Sequence, residues 1–418
     1  MKKKVLSLFS GCGGMDLGFE GDFEVKKECV NEIIHPDWIK KNKGEFALLQ
    51  PTIFQTIFAN DILDYAKCAW IPFFQKRGHN QKVFHHESIV DLVKRAKEGY
   101  FSFPQDIDIV TGGFPCQDFS VAGKRLGFKS HKSHKNIIGC DISDPTTENR
   151  GMLYMWMKEV IEITKPKIFI AENVKGLVSL GEVRKIIESD FSSIDQEGYL
   201  VLPSRVLNAA DYGVPQGRER IIFIGFNKKH LRKEALIKLS SEVLDESISP
   251  YPRVTHSSPK NSSSNDLLKP YVNVAQALYG LKEPDNATDL SQKSYSKAKF
   301  IPKSQGNIEV NLESIAPTIR SEHHGNIEFR RLSQENGGKI FHELTTGLKE
   351  RRLTVRECAR LQTFPDSYEF VRQNGRNDLF NMSASGAYKV IGNAVPPLLA
   401  YNLAKRLESL WDTLFMKD

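Results

Sequence analysis

The chain has 418 residues, enough for one large domain or two smaller ones. Hydrophobic residues make up 40% and charged residues 26%, the balance of a globular protein with a sizeable core, and no apolar run is long enough to span a bilayer. A net charge of +7 permits a polyanionic partner without requiring one.

Met1-Lys2-Lys3-Lys4 is followed by only a short apolar stretch, too short for a signal peptide, with no cleavage site of small residues after it. The six cysteines (Cys12, Cys29, Cys68, Cys116, Cys140, Cys358) contain no C-x-x-C pair. That argues against a zinc site and against a secreted disulfide framework, and free thiols point to a reducing cytoplasm.

In chain order, Val5 to Phe9 reads as a short buried strand, Ser10-Gly11-Cys12-Gly13-Gly14 as a glycine turn, and Met15 to Glu20 as the start of a helix. Phe23 to Asn31 reads as a second strand ending in Glu32, and Thr56 to Asn60 as a third ending in Asp61-Ile62. Ile107 to Thr111, Lys167 to Ala171 and Arg220 to Phe226 supply further strands. Helical patterns span 88–97 and 152–164. The alternation predicts an α/β fold, a mostly parallel Rossmann-like sheet with helices on both faces. After about Asn227 the texture turns irregular, so the chain divides into a catalytic part over 1–226, a smaller irregular domain over 227–350, and a return to the first part over 351–418. That last part carries helices over 355–363 and 398–415, the long final one expected to pack beside the first strand.

Four sequence features carry chemistry. In Phe9-x-Gly11-x-Gly13-Gly14, glycines let a backbone turn approach a ligand, although a tight structural turn would look the same. The spacing is not the dinucleotide G-x-G-x-x-G, so an uncharged nucleoside fits better than a pyrophosphate. Glu32 at one strand end can accept from both ribose hydroxyls, and Asp61 at the next from an adenine amino group. Each alone is more often a surface carboxylate; on successive strand ends they favour an adenosine pocket.

Gly113-Phe114-Pro115-Cys116-Gln117 leaves the C-terminal end of a buried strand, where open α/β sheets bind ligands. Cys116 is either a nucleophile or a small core residue. An ordinary thiol is only a few per cent thiolate at neutral pH, so a nucleophile needs activation of itself or of its substrate. Glu172, in Glu172-Asn173-Val174 at the next strand end, can supply the second by giving a proton to a ring nitrogen. In Gln216-Gly217-Arg218-Glu219-Arg220 two arginines alternate, so both guanidinium groups fall on one face, able to hold an exocyclic oxygen and orient the carboxylate. Each feature has a bland reading; jointly those readings become improbable.

Together with Arg356-Glu357-Cys358-Ala359-Arg360-Leu361-Gln362-x-Phe364-Pro365-Asp366 and Gly392-Asn393-Ala394-Val395-Pro396-Pro397, these stretches stand in the order found in the DNA (cytosine-5)-methyltransferases, which the chain resembles over roughly 1–226 and 351–418. The resemblance implies methyl transfer from S-adenosyl-L-methionine to C5 of a cytosine flipped out of double-stranded DNA, through a covalent bond from Cys116 to C6. It implies that Glu172 acts at N3, Arg220 at O2, and Arg218 behind them. Phe9, Gly11, Gly13, Gly14, Glu32, Asp61, Ile62, Pro115, Leu153 and Asn393 would bind the cofactor, and no metal is expected. Ile33 stands where many members carry an aromatic that packs on the adenine; Trp38 is a candidate to replace it.

The irregular segment falls where the family keeps its target-recognition domain. There Thr318-Ile319 resembles the threonine-aliphatic pair of such domains, and Thr318, Arg320, His323, His324, Arg330 and Arg331 are candidates to contact DNA. Gln117 and Ser120 follow the cysteine. The loop after it carries Lys124, Arg125, Lys129, Lys132 and Lys135, expected to meet phosphates. The chain looks like a bacterial or phage modification enzyme, expected to be monomeric and cytoplasmic, with a cognate restriction endonuclease acting independently. The competing readings are a tRNA cytosine-5 methyltransferase, against which no Cys-Phe-Thr signature is found, and a catalytically dead DNA-binding relative, which would lack the cysteine or the Glu-Asn-Val.

Overall fold

The computed structural model describes residues 2–115, 153–179, 182–195, 198–258, 267–321, 326–373, 375 and 378–416. Its strands are β1 (Lys3–Leu8), β2 (Glu24–Lys26), β3 (Ile39–Lys43), β4 (Phe46–Leu49), β5 (Phe54–Asn60), β6 (Phe84–His85), β7 (Ile109–Gly113), β8 (Ile168–Val174), β9 (Tyr199–Val201), β10 (Arg205–Asn208) and β11 (Glu219–Asn227). The early helices are α1 (Gly14–Glu20), α2 (Asp64–Lys76), α3 (Ile89–Lys97), α4 (Leu153–Thr164) and α5 (Val183–Ser192). Eight of these strands form one sheet in the order β10-β11-β8-β7-β1-β5-β6, with β9 also on β11. β6, β5, β1, β7 and β8 run parallel, and β11 runs antiparallel to β8.

The strands read as near-continuous apolar runs because both sheet faces are covered. Their side chains alternate between two cores. Leu6, Leu8, Val110, Phe169, Ile221 and Phe223 pack with Val90, Val93, Met157, Ile161 and Ile187 of α3, α4 and α5. Val5, Ile109, Ile168, Ile170, Ile222 and Ile224 face the other core, with Leu17 of α1, Trp70 of α2 and the C-terminal helices. The α/β class and the two-sided sheet agree with the sequence reading.

The second expected strand is different. Its charges (Glu24, Lys26, Lys27, Glu28) cannot lie in a strand buried on both faces. Instead β2 pairs with β4, and β4 with β3, in a separate three-stranded antiparallel sheet. The chain then turns at Lys27–Cys29, and Glu32 follows in an exposed turn beside Ile33, which is 64% exposed. Glu32 therefore does not stand at a strand end of the main sheet. Trp38 is buried with His35 stacked on its ring at 3.6 Å. The neighbour of β1 is β5, so Asp61 occupies the place that the sequence reading gave to Glu32.

After β11 come α6 (Lys233–Leu239), β12 (His256–Ser257), β13 (Lys269–Pro270), α7 (Val274–Leu278), α8 (Leu290–Lys293), β14 (Phe329–Arg331), α9 (Phe341–Thr345) and β15 (Arg351–Arg352). All are short, as the irregular pattern implied. The chain closes with α10 (Val355–Leu361), α11 (Ala384–Asn393) and α12 (Pro397–Leu414). α12 lies against α1, where a side chain on Gly18 would overlap Ala400 and the Pro397 carbonyl. Its far end reaches β1, with Lys3 Nζ 5.3 Å from the Trp411 ring.

α1 is pinned to α2 by a buried carboxylate: Trp70 Nε1 donates to Asp16 Oδ2 at 2.7 Å. Burial raises the Asp16 carboxyl from 3.8 to about 6. The native state thus holds the proton more tightly than the unfolded chain. The linked stability is full below pH 3.8 and lost as pH rises through about 6. The urea midpoint of the native protein, minus that of Asp16→Asn, is therefore expected to fall across this window. A difference that stays constant with pH contradicts this.

Candidate active site

The loops at the C-terminal edge of the parallel strands gather most of the candidate residues described. β1 connects to β5 on one side, and β7 flanks it on the other. The sheet order thus reverses at β1, the switch point where open α/β sheets leave a crevice. The glycine turn fills this place. Phe9 takes a left-handed φ of 52° and is partly buried. Gly11 has φ 56°, and a Cβ there would meet nothing within 4 Å, so its backbone borders open space. Gly13 and Gly14 serve packing: a Cβ on the first would strike Phe74 and Trp70, and on the second the Val395 carbonyl.

Asp61 is 8% exposed. Its Oδ2 accepts the Gly11 N–H at 2.9 Å, and its Oδ1 the Leu63 N–H at 2.8 Å. Burial raises its carboxyl while these donors pull it back. Ile62 is half-buried beside it. Asn60 joins this strand end to the next by donating to the carbonyls of His85 (2.9 Å) and Glu87 (2.8 Å). The turn 86–88 after β6 is thus a third neighbouring strand end, which the sequence reading missed. Its signal was short: two apolar residues, Val83-Phe84, just before the N-cap Ser88 of α3.

Pro115 follows β7, whose Gly113 pairs with Glu172 across to β8. A Cβ on Gly113 would come within 2.9 Å of Glu172 Oε2, so the glycine leaves room for the carboxylate. Asn173 is buried and donates to the Phe114 carbonyl at 3.2 Å, fixing the chain two residues before Cys116. Because β11 is antiparallel, its beginning lies at this same edge. Arg220 pairs with Val174, and its Nε lies 2.7 Å from Glu172 Oε1. Both side chains are about nine-tenths buried. Burial raises the Glu172 carboxyl, opposed by Arg220 and Arg218. The result is a carboxyl that keeps its proton to higher pH than usual, oriented by a guanidinium.

Arg218 is fully buried and turned to backbone: it donates to the carbonyls of Ile319 (3.1 Å) and Gly392 (2.9 Å). The Ile319 N–H is held by Gln216 Oε1 at 3.1 Å. Thr318 Oγ1 donates to the Gly217 carbonyl at 2.5 Å. Asn393 ends α11, exposed, beside this clamp. Leu153 is buried at the start of α4.

Other candidates turn inward, each toward a carboxylate or carbonyl of the protein. Thr318 is spent on Gly217, and Arg320 pairs with Glu328 at 3.0 Å. Arg330 pairs with Glu343 at 2.5 Å and Arg331 with Glu283 at 3.1 Å. The structure gives them internal partners instead of the expected DNA-facing role. Cys116, Gln117, Ser120, Lys124, Arg125, Lys129, Lys132, Lys135, His323 and His324 lie outside the described residues. A cavity of about 490 Å³ among His35, Trp38, Arg253 and Lys405 contains Trp38 but none of the other candidate residues. Among the described residues no cluster of His, Cys, Asp and Glu is arranged to hold a metal.

Residues 3–409 match the family described as C-5 cytosine-specific DNA methylase. The chain is 32% identical to the Type II methyltransferase M.BspRI of Lysinibacillus sphaericus, over 97% of this chain and 81% of that one. It is also 32% identical to M.BsuRI of Bacillus subtilis, over 96% and 78%. Among solved structures it resembles the S. pombe Dnmt2 methyltransferase (TM-score 0.51, 18% identity, 98% of this chain and 99% of that one). A DNA modification methyltransferase encoded within an E. coli prophage is similarly close in fold (TM-score 0.53, 20% identity, 98% and 100%).

Arg218→Met is expected to strand two buried carbonyls, those of Ile319 and Gly392. At about 1–3 kcal/mol for each unsatisfied group, the urea-derived stability should drop by roughly 2–6 kcal/mol. A loss below about 0.5 kcal/mol, the scale of an ordinary surface substitution, contradicts the clamp.

Proposed function

The chain belongs to the C-5 cytosine-specific DNA methylases, and from that premise we propose how its own residues carry out the transfer. The family's substrate is DNA, which removes the tRNA alternative. The reading rests above all on the buried Arg220–Glu172 pair at 2.7 Å, two strands from the glycine turn.

The residues around Gly11 fit an adenosine group. The space beside Gly11 is open, and Asp61 is held at the end of the strand next to β1. We assign Asp61, instead of Glu32, to the ribose hydroxyls, Ile62 to the adenine face, and the turn 86–88 to the adenine edge. Phe9 stacks from the opposite side, while Pro115, Leu153 and Asn393 bound the pocket. S-adenosyl-L-methionine, when bound there, supplies an electrophilic methyl group.

A cytosine inside a duplex cannot reach this edge, so it is flipped out at a cost of a few kcal/mol. The Cys116 thiolate attacks C6, forming a C–S bond. The electron pair of the C5–C6 bond moves onto the ring, and the protonated Glu172 carboxyl meets the charge at N3. Arg220 holds O2 and the carboxylate together. C5 would then take the methyl group as its bond to the cofactor's sulfonium sulfur breaks to leave a neutral thioether; C5 loses its proton to base, and the C–S bond to Cys116 breaks to free the thiolate. The raised pKa of Glu172 provides the proton where an ordinary carboxylate would have lost it.

We further propose that the enzyme is a cytoplasmic monomer protecting sites from an independently acting restriction endonuclease. The relatives' names as Type II methyltransferases support that role. No helix among the described residues is long and apolar enough to cross a membrane.

Labelled S-adenosylmethionine with duplex DNA is expected to give methylated cytosine, and with tRNA none. Cys116→Ser should abolish transfer. Glu172→Gln should lower kcat by roughly 10²–10⁴-fold, the size of a general-acid contribution. The native rate should fall as pH rises through the raised Glu172 pKa; the residual rate of the Glu172→Gln variant should lack that fall. Transfer by Cys116→Ser at the native rate contradicts the mechanism, and label in tRNA but not in DNA contradicts the substrate.

A further inference from the structure

Arg320, Arg330 and Arg331, which sequence reading offered to DNA, are each paired with a carboxylate of the protein, which turns attention to the lysines of the irregular segment. Between Asp289 and Glu309 the chain carries no acidic residue and four lysines: Lys293, Lys297, Lys299 and Lys303. All four are exposed. No carboxylate lies in ion-pairing reach of any of them among the described residues; the nearest partner is the Tyr295 ring, 3.5 Å from Lys297 Nζ. Elsewhere, lysines such as Lys40, Lys43, Lys97 and Lys175 are matched to carboxylates.

The backbone beneath these lysines is fixed. Arg352, 1% exposed, donates to the carbonyls of Ala298 (2.8 Å), Lys299 (3.1 Å) and Gly306 (3.0 Å), to Ile327, and to Asn307 Oδ1 (2.8 Å). Asn307 Oδ1 also accepts the Ile301 N–H at 3.1 Å. One buried guanidinium thus sets the shape of residues 298–307, and Val355 ties in the stretch before it by donating to the Ser294 carbonyl at 3.0 Å.

The segment is also linked by contacts to the catalytic edge. A Cβ on Gly306 would come within 2.7 Å of Arg320 Nη2. The backbone of Arg320 abuts Gly392, and Thr318 bonds Gly217, three residues before Arg220. Short contacts therefore run from the lysine segment to the residues around Glu172.

We propose that Lys293, Lys297, Lys299 and Lys303 form a preshaped ridge that grips the phosphates of duplex DNA. The proposal rests on the reading of the chain as a DNA methylase and names the surface that holds its substrate. Lysine meets phosphate as a point charge, without base readout, so the ridge supplies affinity and leaves the choice of site to other residues. Each phosphate neutralised steepens the dependence of log K on log salt by about 0.9.

The test compares the native protein with the quadruple lysine-to-glutamine variant at 293, 297, 299 and 303. A control carries glutamine at the exposed lysines Lys82, Lys228, Lys233 and Lys238, which matches the change in net charge. Binding of a methylatable duplex is measured over a range of salt, alongside kcat and KM for DNA and for S-adenosylmethionine. The ridge variant should show a slope shallower by roughly three to four, and a DNA KM raised tenfold or more at physiological salt. Its kcat, cofactor KM, methylated site and melting temperature should match the native protein, and the control should keep the native slope. An unchanged slope in the ridge variant, or an equal loss in the control, overturns the proposal while native methylation of DNA leaves the functional reading standing. Failure of the native protein to methylate any duplex overturns that reading instead.

Discussion

The buried contact between Arg220 and Glu172 is the constraint around which the catalytic edge is arranged. A carboxyl buried beside a cation is costly unless its geometry is held. Here the strand pattern holds it. β8 ends at the shared edge, β11 begins there because it is antiparallel, and their register sets Arg220 beside Glu172. Gly113 on the other side leaves space for the second carboxylate oxygen. Burial favours the protonated acid and Arg220 favours the ionised one. That balance suits a group that must meet developing charge and then release it.

Other parts of the chain act on this edge through backbone. Asn173 holds the carbonyl of Phe114, so the fold reaches Pro115 in a set direction. Gln216 accepts the N–H of Ile319 and Arg218 donates to its carbonyl, and Arg218 also holds Gly392. Three separated stretches of sequence meet at two side chains. The irregular segment is therefore joined to the catalytic edge by buried hydrogen bonds, and the α11 terminus is joined at the same point.

Much of this was legible in the sequence, for physical reasons. Strands buried on both faces must be apolar along their length, so Val5–Leu8, Ile168–Ala171 and Ile221–Ile224 announced themselves. Strand ends facing the crevice carry the polar residues, which made Asp61, Glu172 and Arg220 conspicuous. The failure at Glu32 came from assuming that the next strand in the chain is the next in the sheet. The charged run 24–28 was the available warning. β6 is only two residues long and gives no periodicity, so the third strand end stayed hidden. In the irregular segment, residue type misled. Arginine pairs with buried carboxylates more readily than lysine, because its weaker hydration and forked donors suit such sites. Hence Arg320, Arg330 and Arg331 paired with carboxylates of the protein while Lys293, Lys297, Lys299 and Lys303 stayed in solvent.

The central claim is that Cys116 bonds to cytosine C6 with help from Glu172. A duplex carrying 5-fluorocytosine at the methylated position tests it most directly, since fluorine cannot leave as the proton does and the bond to the thiol persists. With S-adenosylmethionine present, peptide mass spectrometry should find the nucleotide on the peptide containing Cys116. The yield should collapse in Glu172→Gln. An adduct on Cys12, Cys29, Cys68 or Cys358, all buried with thiols pushed up in pKa, or an adduct formed equally well without Glu172, would contradict the account.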